Sequence, residues 1–286
     1  MDLTHSHPDG GGRAMQVAQT NRTLIFANDK SSGKTTLASA LVVSLMQNQS
    51  AVLRNTELRE YERHPALGLI FRAEEGIGAV VHRDARNAAA YDAARALAHD
   101  PNATPWDDLL YDIGKGGLIV DLGSNMFAEI CRILDDEPRP VFPEGGARVG
   151  VVVPVTVAVD SQESGVAAID AVLGWGPATR VFIAEQEYLG RFAAASPDWI
   201  AYRDRLLATE GGRVRVLRIE RLAAAEIGGL VFQRIDRMLP AAHAALRSES
   251  LTGAALLRTL RRARAEIAWG TRTLAAVRPI ADWFAT

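Results

Sequence analysis

The chain has 286 residues, 48% of them apolar and 23% charged, enough to build one large α/β domain around a real core. A formal net charge of −2 excludes a global positive field that would hold nucleic acid, so any such contact has to come from a local patch. The one cysteine, Cys131, excludes an internal disulfide and a cysteine metal cluster, and no apolar run reaches the length of a membrane span.

Residues 1–20 are polar, with His5, His7 and Gly10 to Gly12, and read as a disordered tail without the apolar core of a signal peptide. The expected location is cytoplasmic. Thr23 to Ala27 (TLIFA) fits a buried strand, Asn28 to Lys34 is small and polar, and Thr35 to Met46 carries a helical period in Leu37, Ala40, Leu41, Ser44 and Leu45. Ala51 to Leu53 is read as the next, short strand. Residues 86–98 read as helix. Gly117 to Leu122 (GLIVDL), Val149 to Val155 (VGVVVPV), Arg180 to Ala184 (RVFIA) and Arg213 to Ile219 (RVRVLRI) read as further strands, with a helix from Glu163 to Leu173.

Continuous apolar strands alternating with helices imply a doubly wound, mostly parallel sheet with helices on both faces. The expected division is a tail over 1–20, a nucleotide-binding α/β domain over 21–245 and a C-terminal helical extension over 246–286. Ala241 to Ser250, after Pro240, reads as a linker. The extension carries Leu256, Leu260, Ala263, Ile267, Leu274 and Val277 at spacings of about three and four, interrupted by Gly270.

Residues 28–36 read NDKSSGKTT. Gly33, Lys34 and Thr35 fit the end of the Walker A phosphate loop, a glycine, four residues and Gly-Lys-Ser/Thr. Asn28 stands at the first glycine, an ordinary residue tolerant of a positive φ. Such a loop wraps phosphate in successive backbone N–H groups, here across Asn28, Asp29, Lys30, Ser31, Ser32, Gly33, Lys34, Thr35 and Thr36, and aims the positive end of the next helix at it. Lys34 is expected at the β and γ phosphates and Thr35 on Mg²⁺. Asp121 ends the strand LIVD, where ligands gather in parallel sheets, and is the expected Walker B acid on the same Mg²⁺. The chain has three lysines, Lys30, Lys34 and Lys115, among 32 basic residues, and two of them fall in this loop.

The phosphate loop, the DLG after the Asp121 strand and the segment VVVPVTVAVDSQESGVAAIDAV (151–172) occur in one order. In this the chain resembles the ParA/MinD family of Walker-type ATPases, over about Thr23 to Met238. IVDLGSN (119–125) is most similar to the StbB/TraL-like plasmid proteins of stability and conjugation. The resemblance implies a P-loop fold and an ATP- and Mg²⁺-dependent switch with slow hydrolysis. It also implies a nucleotide-dependent homodimer acting in plasmid or DNA segregation, positioning or transfer. The family's signature lysine falls at Asp29, with Lys30 one place later as the residue to reach a phosphate. Glu57 is the candidate for the family's acid after the second strand. Glu185 and Gln186 stand at the adenine-reading asparagine, with Glu185 the candidate base contact. The alternative is a hydrolysis-deficient P-loop protein that holds nucleotide and a protein partner.

The remaining histidines (His64, His82, His99, His243) lack zinc-ligand spacing. Cys131 reads as a buried thiol on a helix. Arg258, Arg261, Arg262 and Arg264 form a basic cluster on the last helix. That cluster is either a solvated face or a phosphate-contacting face for nonspecific DNA or anionic lipid, and the many alanines opposite it favour DNA or a protein partner over a membrane.

Overall fold

Parallel strands buried on both faces need apolar side chains pointing both ways, and the runs from TLIF to RVFIA supply them. The computed structural model describes residues 20–28, 32–62, 66–71, 76–84, 107–123, 126–136, 148–221, 234–247 and 252–286. Its seven strands are β1 (Arg22–Phe26), β2 (Glu57–Glu62), β3 (Ala79–Asp84), β4 (Leu118–Leu122), β5 (Arg148–Val155), β6 (Arg180–Gln186) and β7 (Val214–Ile219). They form one sheet in the order β3-β2-β4-β1-β5-β6-β7, and every pairing is parallel. The chain winds outward from β1 on one side and then, from β5, on the other. The carboxyl end of β1 is therefore the switch point where open sheets of this kind form a ligand crevice.

The described helices are α1 (Lys34–Asn48), α2 (Ser50–Leu53), α3 (Ala66–Ile70), α4 (Asp107–Lys115), α5 (Met126–Asp136), α6 (Val159–Gly174), α7 (Pro197–Glu210), α8 (Ile235–Leu246) and α9 (Gly253–Ala285). Alternation along β1 splits the core. Ile25, with Val120, Val151, Val153 and Ile183, faces α4, α5, α6 and α7. Leu24 and Phe26, with Ile119, Val152 and Phe182, face α1, α2, α3, α8 and α9. The sheet thus has helices on both faces, as expected. No described helix is long and apolar enough to cross a membrane.

Two expected elements are corrected. Ala51 to Leu53 is not a strand but lies in α2. Thr56 closes that turn by donating its hydroxyl to the carbonyl of Val52 at 2.9 Å, and Val52 and Leu53 are buried with α1. The second strand is instead ELREYE, β2. Its charges hid it: Arg59 is carried in the sheet by ion pairs to Glu57 at 2.6 Å and to Asp112 of α4 at 2.7 Å. The linker expected from Ala241 is also helix, because α8 runs through Pro240 to Leu246. Pro240 lies inside α8, where its missing N–H forgoes the bond to the carbonyl of Asp236. Buried Ile235, Met238 and Ala242 hold the helix on the core. The tail residues 1–19 and the helix expected over 86–98 lie outside the described residues.

Gly270 does not break α9 but lets it cross α8 closely. A Cβ there would sit 3.0 Å from Leu239 and Met238 side-chain atoms. Beyond it, Val277, Ile280, Ala281 and Phe284 are buried against the sheet. The Thr20 hydroxyl donates to the Phe284 carbonyl at 2.7 Å. Phe284→Ala should therefore lower unfolding free energy by about 3–5 kcal/mol, the usual loss for a buried Phe. Urea denaturation checks this, and an unchanged midpoint would show that the end of α9 is not part of the core.

Candidate functional site

The loop between β1 and α1 lies at the switch point, and its described ends, Ala27 to Asn28 and Ser32 to Gly33, show how it is held. Gly33 caps α1 in the left-handed region at φ 87°, where a side chain is disfavoured. Lys34, the first residue of α1, is buried and donates its ammonium back to the carbonyl of Asn28 at 3.0 Å. The lysine thus folds over the loop from one end to the other.

Thr35 donates its hydroxyl to Asp121 Oδ2 at 2.7 Å. Asp121 is fully buried at the carboxyl end of β4, the strand next to β1. The structure brings Lys34, Thr35 and Asp121 together as the sequence predicts. Thr36, partly exposed, follows in the first turn of α1. Asp29, Lys30 and Ser31 lie outside the described residues.

Thr35 and Asp121 offer a hydroxyl and a carboxylate oxygen side by side. That is a hard-oxygen donor pair, suited to a Mg²⁺ completed by water and phosphate. Among the described residues, no group of three or more His, Cys, Asp or Glu could hold a metal ion. His82 lies on β3 and His243 on α8, while Cys131 is buried in α5.

Glu57 is not brought to this site. It is the first residue of β2 and pairs in register with Leu118, at the opposite end of β4 from Asp121. Its carboxylate pairs with Arg59. The residue that shares a row with Asp121 is Glu60, its register partner, with His82 next along on β3. Parallel register partners point to the same face of a sheet, so Glu60 and Asp121 share the α1 side. Glu60 is buried, and its Oε1 accepts from the N–H groups of Ala66 at 2.7 Å and Leu67 at 2.9 Å. Burial pushes its pKa up, against the pull of those N–H groups and of His82. Glu57 is the first acid after Ala51 to Leu53, so a strand at that run points to Glu57, whereas the strand that forms, β2, puts Glu60 in the row of Asp121.

Glu185 turns away from the loop. Its Oε1 accepts from Trp199 Nε1 at 3.1 Å and from Arg203 at 3.0 Å, and Arg218 lies 3.5 Å from its Oε2. Side chains alternate along β6, so the neighbour Gln186 faces the other way and reaches the loop, donating to the carbonyl of Ser32 at 2.6 Å. Asn28 anchors the other end of the loop, with its amide donating to the Pro154 carbonyl and its Oδ1 accepting from Ser164 at 2.8 Å. On α9, Arg258, Arg261, Arg262 and Arg264 are exposed, and Arg262 pairs with Glu266 at 2.8 Å.

No protein-family model matches the chain, and no curated protein matches its sequence.

Two glycines separate backbone strain from contact. A Cβ on Gly33 would stand 2.4 Å from Gln186 Nε2, whereas Gly76, at a similar φ of 84°, has nothing within 4 Å. Gly76→Ala should cost about 1–2 kcal/mol for the left-handed backbone alone. Gly33→Ala should cost on the order of 1 kcal/mol more, the displacement of Gln186 being an overpacking term. Urea denaturation of the pair checks this, and equal losses would show that Gln186 does not press on the loop.

Proposed function

We propose that the chain is an ATP-binding P-loop switch of the ParA/MinD kind. The observation that supports it best is the Thr35 to Asp121 hydrogen bond at 2.7 Å, formed at the switch point beside a lysine that closes over the loop. In this reading the backbone N–H groups of the loop and Lys34 bind the β and γ phosphates, while Thr35 and Asp121 hold Mg²⁺. Bound Mg²⁺ neutralises phosphate charge and polarises the terminal phosphoryl group. Glu60, not Glu57, is the second-strand acid, since it shares the face of Asp121. In this reading Gln186, which donates to the Ser32 carbonyl of the loop, is the β6 side chain nearer the phosphates, and Glu185 faces away.

Slow turnover belongs to the reading, with Asp29 at the family's signature lysine and Lys30 one place later. So do an ATP-dependent homodimer and a role in moving or retaining plasmid DNA. Asp121→Asn keeps the size and removes the charge. It should weaken ATP binding in Mg²⁺ by at least tenfold and change binding in EDTA little, because the charge answers the ion. Calorimetry in the two buffers checks this. Equal losses would mark Asp121 as structural, and parent protein that binds no Mg-ATP would end the nucleotide reading.

The polyanion surface in this proposal is the exposed start of α9, with Arg258, Arg261, Arg262 and Arg264. Neutralising these arginines should flatten the log–log salt dependence of duplex binding by about 0.9 per lost phosphate contact, alike for all sequences. Filter binding across a salt series reads the slope. An unchanged slope returns the cluster to a solvated face.

A further inference from the structure

Asn28 takes the place of the loop's first glycine, and its side chain is fully employed. The amide donates to the carbonyls of Pro154 at 2.5 Å and Ser161 at 3.3 Å, and Oδ1 accepts from the Ser164 hydroxyl at 2.8 Å. A glycine could do none of this. On the far side of the loop, Gln186 donates to the Ser32 carbonyl at 2.6 Å and packs against Gly33. Both amides are nearly fully buried.

The two anchors are joined through the molecule. The Ser161 hydroxyl accepts from the Thr156 N–H at 3.0 Å. Gln162 donates to the carbonyls of Thr156 and Val157 and accepts from the Ser196 hydroxyl at 2.5 Å. Ser196 in turn caps α7 by accepting from the Trp199 N–H at 3.2 Å. The Trp199 indole donates to Glu185, the residue before Gln186. Polar contacts therefore run from Asn28 through α6 and α7 to Glu185, and the β6 backbone joins that residue to Gln186.

We propose that Asn28 and Gln186 are positioning residues that fix the two described ends of the phosphate loop, at Asn28 and at Ser32 to Gly33, ready for a nucleotide phosphate. The proposal rests on the nucleotide reading above for its ligand, but the clamp itself is a property of the free protein. Ordering a flexible loop costs binding free energy for each residue fixed, and a clamp removes that cost before the ligand arrives. Asn28 thus does work that the glycine of the usual pattern cannot do, and restoring the glycine is the discriminating change.

The test uses the full chain with Asn28→Gly, Gln186→Met and both together, and Ser164→Ala as a variant that leaves the loop sequence intact. Two quantities are read: Mg-ATP affinity by calorimetry, and amide hydrogen exchange of the peptide spanning Phe26 to Leu37 without nucleotide. Each of Asn28→Gly and Gln186→Met should weaken affinity about tenfold, the scale of one or two buried hydrogen bonds. Each should also speed exchange of the loop peptide while that of α4 stays as in the parent. Ser164→Ala should move both readings in the same direction by less. The double variant should lose less than the product of the single losses, because both act on one loop.

Folded Asn28→Gly or Gln186→Met protein with parental exchange overturns the clamp. Faster exchange with unchanged affinity overturns its role in holding the loop for phosphate. If the parent binds no Mg-ATP while the variants exchange faster, the clamp stands and the nucleotide reading fails.

Discussion

A carboxylate buried at the end of a parallel strand has to be answered by polar groups carried to it, and Asp121 is such a carboxylate, with no exposed surface. Thr35 comes to it from the first turn of α1 across the neighbouring strand. That single bond fixes where α1 begins relative to β4. It also sets where the loop before α1 can lie, because Gly33 has to take the left-handed turn that starts the helix and Lys34 has to fold back to Asn28. The sheet order serves the same end, since β1 and β4 are neighbours only because the chain winds out to β2 and β3 and returns.

The two ends of the sheet have opposite characters. At the end where β1 starts, the last turn of α9 closes the structure. Arg22 stacks on the Trp283 indole at 4.8 Å and donates to the Thr286 hydroxyl, while Trp283 meets Phe182 edge-on. Gly150 leaves room for that indole, since a Cβ there would approach it to 2.7 Å. Side chains fill this end. At the other end the same strands finish in Asn28, Glu60, Asp121 and Gln186, all buried and polar. Buried polar groups survive only where partners are supplied, so this end is organised by hydrogen bonds and the other by apolar and aromatic packing.

What could be read from the sequence follows from which force dominates each segment. The strands β1, β4, β5 and β6 are runs of apolar residues, and burial on both faces leaves no other reading, so the parallel α/β architecture was legible. So was the meeting of Thr35 with Asp121, because each stands at or just after the carboxyl end of a buried strand, and those strands are neighbours. The strand β2 was not legible, since Arg59, Glu57 and Glu60 mask it and their charges are answered only by partners distant in sequence, Asp112 of α4 and the N–H groups of α3. A strand read a few residues early pointed to Glu57, whereas Glu60 is the acid in register with Asp121. The direction of Glu185 was hidden for a related reason: alternation along β6 decides which of two adjacent polar residues faces the loop, and only the position of Trp199 and Arg203 shows which one is taken by the opposite face.

The helix α9 joins these lines. Its carboxyl half is core, with Val277, Ile280 and Phe284 buried, while its first turns carry the exposed arginines and the exposed Leu257. The two parts belong to one helix of 33 residues, with Pro279 inside its buried half. Between the two parts the helix crosses α8 closely at Gly270. The same layer contains α1, which α9 packs against on that face. The element that presents the basic surface and the element that carries Lys34 and Thr35 thus share one packed interface.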